Sequence, residues 1–189
     1  MKLLKVAVLF PLILSLVASS QVAVYGAFSA AKTSLGIGVE TTNWLYGGTG
    51  GFYIDHGHLG RFETGLDARI AGLYQPDSGD FIHDKFFGGY AGPRLSVRTR
   101  HLGLKPYGEA LFGGVRSEGD AENDSKFPNP YAVSFAYQLV AGADVPVLPR
   151  IDWRVVEFSF TGIPNRHLGH ENGISASIET ITTGIVFRF

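Results

Sequence analysis

From Ser34 to the C-terminus, apolar and polar side chains alternate with a period of two in eight segments separated by turn-forming residues. Successive side chains of a strand point to opposite faces, so this pattern predicts eight strands, each with one apolar and one polar face. The first covers 34–41, with Leu35, Ile37 and Val39 opposite Gly36, Gly38 and Glu40. The second, 50–55, sets Phe52 and Ile54 against Tyr53 and Asp55. In 61–73, Phe62, Leu66, Ala68 and Ile70 alternate with Glu63, Asp67 and Arg69. In 86–100, Phe87, Ala91, Leu95 and Val97 alternate with Tyr90, Arg94, Ser96 and Arg98. The fifth, 104–116, carries Tyr107, Glu109, Ala110 and Phe112, and glycines blur its register. The sixth is the most regular, every second residue from Tyr131 to Val145 being apolar. The seventh, 151–161, alternates Trp153 and Val155 with Asp152 and Arg154, then loses phase at Glu157, the signature of a bulge. The eighth, 174–189, ends with Ile181, Thr183, Ile185, Phe187 and Phe189 on one face.

The connections alternate in length. Residues 42–49, 74–85, 117–130 and 162–173 read as longer polar loops, and 56–60, 101–103 and 146–150 as short turns. Long loops at one end, short turns at the other and an even strand number are the plan of an up-and-down outer-membrane barrel. A water-soluble barrel such as a lipocalin also alternates, but with apolar residues inside. Aromatic placement favours the membrane plan: Phe62, Trp153, Phe187 and Phe189 fall near the turn end, and Tyr74, Phe87 and Tyr131 near the loop end, as two interfacial girdles.

The start of the chain has a different pattern. Lys2 and Lys5 precede an almost unbroken apolar run over 6–17, and Ala18, Ser19 and Ser20 supply small residues before Gln21. These are the three parts of a secretory signal peptide, and the run is too short for a membrane-spanning helix of roughly 20 residues. The expected division is a signal peptide over 1–20, with a second candidate cut after Gly26, and a single barrel domain over 34–189. No later segment is a long apolar run, so spanning by helices is excluded, and only a closed sheet can pair every backbone group in hydrocarbon.

Composition narrows the function classes. Twenty-five glycines, 14 phenylalanines and 8 tyrosines among 189 residues suit strands and tight turns. A formal net charge of -1 with interspersed signs offers no basic stripe for phosphates, so nucleic acid is not an expected partner. With no cysteine, disulfide scaffolds and thiolate metal sites are excluded.

The polar faces gather the candidate chemistry. Glu40, Asp55, Glu63, Asp67, Glu109 and Asp144, set against Arg69, Arg94, Arg98 and Arg154, form the expected polar network of the lumen. An eight-stranded barrel is just wide enough for side chains to fill, so a closed core of paired charges is favoured over a narrow pore. His56 with His58, and His167, His170 and Glu171, lack the rigid third ligand a zinc site needs, and no metal or other cofactor is expected. Asp120, Glu122 and Asp124 begin like an EF-hand loop, but Ser125 stands where glycine is required and Tyr131 where the bidentate glutamate belongs. Some eight-stranded outer-membrane barrels act on lipid A, which sets an enzymatic alternative. Neither His167 nor His170 is followed by the serine of a His-x-Ser pair, leaving only Ser175, Ser177 and Glu179 nearby, and no catalysis is expected.

The terminal run Thr183-Gly184-Ile185-Val186-Phe187-Arg188-Phe189 resembles the closing strand of outer-membrane barrels, and the segment Lys105-Pro106-Tyr107-Gly108-Glu109-Ala110-Leu111-Phe112-Gly113-Gly114 is similar to the central strand of small OmpA-like outer-membrane β-barrel-domain proteins. The resemblance covers roughly 34–189. It implies an all-β, eight-stranded antiparallel transmembrane barrel without a peptidoglycan-binding domain. It also implies that Ile185, Phe187 and Phe189 form the signal read by the barrel assembly machinery. The expected partners are outer-membrane lipid and lipopolysaccharide, around a monomer in the bacterial outer membrane. The expected role is envelope integrity or surface interaction through extracellular loops, with a small pore for polar solutes as the alternative and a lipid A-modifying enzyme third.

Overall fold

The computed structural model describes residues 21–35, 39–76, 84–97, 99, 103–119, 131–166 and 174–189. Among the described residues the chain forms eight strands and no helix: β1 (Gln21–Leu35), β2 (Val39–Leu59), β3 (Phe62–Tyr74), β4 (Asp84–Val97), β5 (Lys105–Gly119), β6 (Tyr131–Leu148), β7 (Ile151–Arg166) and β8 (Ile174–Arg188). Each pairs antiparallel with its sequence neighbours, and β1 pairs with β8, so the sheet is a closed up-and-down barrel with no free edge. The β2–β3, β4–β5 and β6–β7 connections share one end with Gln21 and Phe189. There the Phe189 N–H donates to Val22 O at 2.9 Å, and the Arg188 N–H to Arg150 O at 2.8 Å. The tight β2–β3 turn uses Gly60 at φ +67°, a left-handed conformation that glycine adopts without strain.

The first hairpin departs from the sequence reading. The expected strand over 34–41 is in fact the tip of that hairpin. Ser34 and Leu35 end β1, Val39 opens β2, and 36–38 lie outside the described residues. The sheet therefore begins at Gln21, not Ser34, and β8 closes against Ala23 through Leu35. Two local features hid this. Along β1 the inward residues Ala23, Tyr25, Ser29 and Ala31 are mostly small and the outward ones include Val24 and Phe28, so neither face is plainly polar. The expected loop over 42–49 lies inside β2, where glycines read as turn residues. Gly47 instead serves close approach: a Cβ there would meet the Gly72 carbonyl oxygen of β3 at 1.9 Å.

Outward-facing positions carry a continuous apolar surface. Phe28, Phe52, Leu66, Ile70, Phe87, Phe112, Phe135, Leu139, Phe158, Ile181 and Ile185 are all exposed. Toward the turn end lie exposed Phe62, Trp153, Phe187 and Phe189, and toward the loop end Trp44, Tyr46 and Tyr74. The Tyr131 side chain is outside the described residues. Inward-facing positions are polar over the turn-end half, the inverse of a soluble barrel.

Candidate functional site: the polar interior

The barrel interior is layered, and β7 shows the order. From the turn end its inward residues are Asp152, Arg154 and Glu157, then Ser159 and Thr161, then Ile163, all buried. β2 repeats it with Asp55 and Tyr53, then Thr49, then Leu45, and β4 with Arg94, Tyr90 and Phe86. A charged layer, a hydroxyl layer and an apolar layer follow one another toward the loop end.

The charged layer is built from cross-strand neighbours. Arg94 of β4 stands opposite Glu109 of β5, and Asp144 of β6 opposite Arg154 of β7. Arg94 bonds Glu109 through Nη1 and reaches Asp144 Oδ2 at 3.5 Å, with Asp55 Oδ1 3.8 Å from its Nε. Arg154 donates to Asp144 Oδ1 at 3.1 Å and Glu157 Oε2 at 2.9 Å. Arg69 completes the ring, donating to Asp67 Oδ1 at 2.9 Å, to Glu157 Oε1 at 2.8 Å and to Glu109. Tyrosines fill the remaining space. The Tyr107 hydroxyl donates to Glu157 Oε2 at 2.6 Å, and the Tyr25 hydroxyl lies 2.9 Å from Asp67 Oδ2. The Arg94 guanidinium sits 4.0 Å from the Tyr53 ring centre and 3.9 Å from that of Tyr107, while Arg154 sits 4.1 Å from that of Tyr25. Nearer the turn end, Asp152 holds Arg188 at 2.7 Å and Lys105 at 3.7 Å.

Such burial is tolerable because Arg69, Arg94 and Arg154 each donate hydrogen bonds to buried carboxylates, while Asp55 and Asp152 meet their cations at ion-pair distance without a hydrogen bond. The planar guanidinium forks bridge two or three carboxylates apiece, which a lysine ammonium in the same places would do less well. The arrangement therefore crosslinks β3 through β7 across the lumen.

Above it, Ser29 shares hydrogen bonds with Thr49 at 2.9 Å and Thr182 at 3.2 Å, and Gln138 donates to Thr161 at 3.1 Å. A void of about 20 Å³ lies in this layer, bounded by Thr49, Arg69, Gln138 and Thr180 among others. That is room for about one water molecule. Leu45, Leu73, Phe86, Val115, Ile163 and Ile178 then pack into an apolar layer below the loops.

Of the ten side chains expected in the lumen, Glu63, Asp67, Arg69, Arg94, Glu109, Asp144 and Arg154 are buried inside, and Asp55 is half-buried beside Arg94. The Glu40 side chain and Arg98 lie outside the described residues. Glu157, Tyr25, Tyr53, Tyr107 and Asp152 were not among the expected set. Glu157 is turned inward by a register shift between Arg154 and Glu157, so that two residues three apart both face the lumen. The loss of phase there was its signal. Tyr53, Tyr107 and Asp152 share parity with Asp55, Glu109 and Arg154 and were readable from that alone; Tyr25 lay ahead of the expected domain.

Ile185, Phe187 and Phe189 all face outward. Trp153 stands opposite Ile185 and donates from its ring nitrogen to Thr183 Oγ1 at 3.3 Å. The candidate metal groups at Asp120, Glu122 and Asp124 and at His167, His170 and Glu171 lie outside the described residues, as does the His58 side chain, and His56 is exposed. Among the described residues no three His, Asp or Glu side chains are grouped to hold a metal ion. Ser175, Ser177 and Glu179 lie on the outward face of β8.

No protein-family model matches the chain, and no curated protein matches its sequence. Solved structures do. The crystal structure of Neisserial surface protein A (NspA) matches with a TM-score of 0.59 at 15% identity, over 89% of this chain and 97% of that one. The attachment invasion locus protein Ail of Yersinia pestis, in complex with the heparin analogue sucrose octasulfate, matches with a TM-score of 0.57 at 13% identity, over 90% of this chain and 99% of that one. At such identities the likeness is one of fold: the chain has the fold of bacterial outer-membrane eight-stranded barrels.

Proposed function

We propose that this chain is exported and inserted as a monomer into the bacterial outer membrane, where it forms a non-catalytic barrel closed to ions that holds its loops at the cell surface. The carrying observation is the inversion of polarity: an apolar outer wall surrounds an interior of buried, mutually bonded charges. In water that wall would leave large contiguous apolar surface exposed, whereas lipid and lipopolysaccharide cover it at no such cost. Two internal barriers support closure. The arginine–carboxylate ring occludes the turn-end half, and the apolar layer of Leu73, Phe86 and Ile163 opposes entry of hydrated ions from the loop end.

Removal of 1–20 as a signal peptide fits this reading better than a cut after Gly26, which would take Tyr25 and its bond to Asp67 out of β1. Exposed Ile185, Phe187 and Phe189 are offered to the assembly machinery as the terminal recognition strand, as the resemblance to barrel-only OmpA-like proteins implies. Envelope integrity or surface interaction through the loops is the role such a scaffold supports, and of the two solved structures named above one is of a surface protein and the other of an attachment protein.

The test combines insertion with conductance. Outer-membrane fractions should contain the protein in a form whose gel mobility changes on boiling, and the refolded protein should give no discrete current steps in a planar bilayer. Reproducible steps would establish the pore alternative. Release of fatty acid from lipopolysaccharide would establish the enzyme.

A further inference from the structure

On the outward faces of β1 and β8 two opposite charges stand side by side. Lys32 of β1 stands directly opposite Glu179 of β8, and both are outward-facing and exposed. Cross-strand partners have Cβ atoms roughly 5 Å apart, close enough for an ion pair. Among the described residues no ion pair joins them, and the Lys32 ammonium lies instead 4.9 Å from the centre of the Trp44 ring. The two charges line a groove of about 530 Å³ whose walls also include Trp44, Leu139, Phe158, Phe160 and Ile181. That volume is typical of ligand sites.

The groove has a direction. Toward the turn end, β8 presents Ile181, Ile185 and Phe187 outward, the apolar wall itself. Toward the loop end, a second hollow of about 290 Å³ shares Phe160 and is lined by Ser34, Ser175 and Ser177. Apolar surface below, a cation and an anion between, and serine hydroxyls beside Tyr137 and Pro164 above are the sequence of chemistries along an amphiphile lying in one leaflet.

We propose that this groove binds a membrane lipid with a zwitterionic headgroup of the phosphoethanolamine type. Its phosphate lies against Lys32, its ammonium against Glu179, and an acyl chain runs along Phe158, Phe160 and Ile181. Charge complementarity selects this occupant. A purely anionic headgroup at Lys32 would face the Glu179 carboxylate across adjacent strands, and like charges so placed are destabilising. A quaternary ammonium meets the carboxylate without an N–H to donate, so phosphatidylcholine is the weaker zwitterion. The inference rests on the membrane reading above.

The chain holds two tryptophans, Trp44 in the groove and Trp153 near the turn end, which makes the test direct. The protein as produced in cells, carrying Trp153→Phe, is reconstituted in phosphatidylcholine vesicles. Brominated phosphatidylethanolamine or brominated phosphatidylglycerol is then titrated while Trp44 emission is followed. Half-maximal quenching by the phosphatidylethanolamine should occur at about threefold lower mole fraction, the effect of one weak surface charge contact. Glu179→Gln should reverse that order, leaving Lys32 to favour the anionic lipid, and Lys32→Gln should abolish phosphatidylethanolamine preference. Equal quenching by both lipids, preference for phosphatidylglycerol in the parent, or an unchanged order in Glu179→Gln would overturn the proposal. A Trp44→Phe protein separates this from failure of the membrane reading. Its Trp153 should be quenched by both lipids alike, and no quenching by either would mean that the barrel is not in the bilayer.

Discussion

Arg154 is the residue on which the closed interior depends most directly, and replacing it with methionine tests that dependence. Its side chain is fully buried, donates to Asp144 and Glu157, and lies against the Tyr25 and Tyr107 rings. Methionine fills most of the space of the aliphatic stem, so the perturbation is chiefly loss of charge and hydrogen bonds. Asp144 then keeps only the 3.5 Å contact to Arg94, and Glu157 keeps Arg69 at 2.8 Å and the Tyr107 hydroxyl. Of the three arginines serving the buried acids Asp67, Glu109, Asp144 and Glu157, two remain. Removing one partner from a buried pair costs on the order of 3 to 5 kcal/mol, because the stranded carboxylate stays out of water. Urea unfolding in detergent micelles, followed by tryptophan emission, should show an unfolding free energy lowered by that amount, read as a lower midpoint at unchanged slope. Arg154→Met combined with Glu157→Gln should recover about half of the loss, since deleting both members of a buried pair is much cheaper than deleting one. A single variant within about 0.5 kcal/mol of the parent, the range of ordinary surface changes, would refute the reasoning and place Arg154 in a water-filled channel.

Three further outcomes are expected. Gly47→Ala should reduce the fraction showing the heat-sensitive folded gel band, because its Cβ would meet the Gly72 carbonyl oxygen at 1.9 Å, whereas Gly89→Ala, with nothing within 4 Å, should fold like the parent. Deleting Phe189 removes one exposed ring and the N–H bond to Val22, a modest loss of about 1.5 to 3 kcal/mol for the finished barrel at most, but should lower insertion in cells far more than refolding into micelles. Equal losses in both settings would assign the effect to stability alone. An epitope placed after Asp124, which lies outside the described residues, should be labelled on intact cells, and labelling only after permeabilisation would invert the topology.

Much of the architecture was legible because a barrel strand has two faces in different surroundings, outer wall and lumen, and writes their difference at every second residue. β3, β4, β6 and β8 were readable for that reason, as were the inward Glu63, Asp67, Arg69, Arg94, Glu109, Asp144 and Arg154. Where the two faces resemble each other the signal fails. The alternation of β1, small against moderately apolar, lies next to an apolar leader, and thirteen residues of strand went unread. The glycines of β2 illustrate the same limit: a glycine at a turn and a glycine at a backbone contact look alike until the neighbouring strand is known.

Strand number, the up-and-down order, the outward apolar wall and the existence of a charged lumen were determined by the sequence, since each follows from local periodicity and from the need to pair backbone groups in hydrocarbon. Which arginine meets which acid was decided only by the tertiary structure. Asp67, Glu109 and Glu157 come from three strands and converge on Arg69 because closure and inter-strand register bring them to one level of the lumen. The bulge at β7 then turns Glu157 into that ring, where simple alternation would have sent it to the apolar outer face. The groove at Lys32 and Glu179 arises in the same way, from residues 147 positions apart that become neighbours when β8 meets β1. Periodicity is a local property of the chain, whereas closure sets distances between residues that are far apart along it.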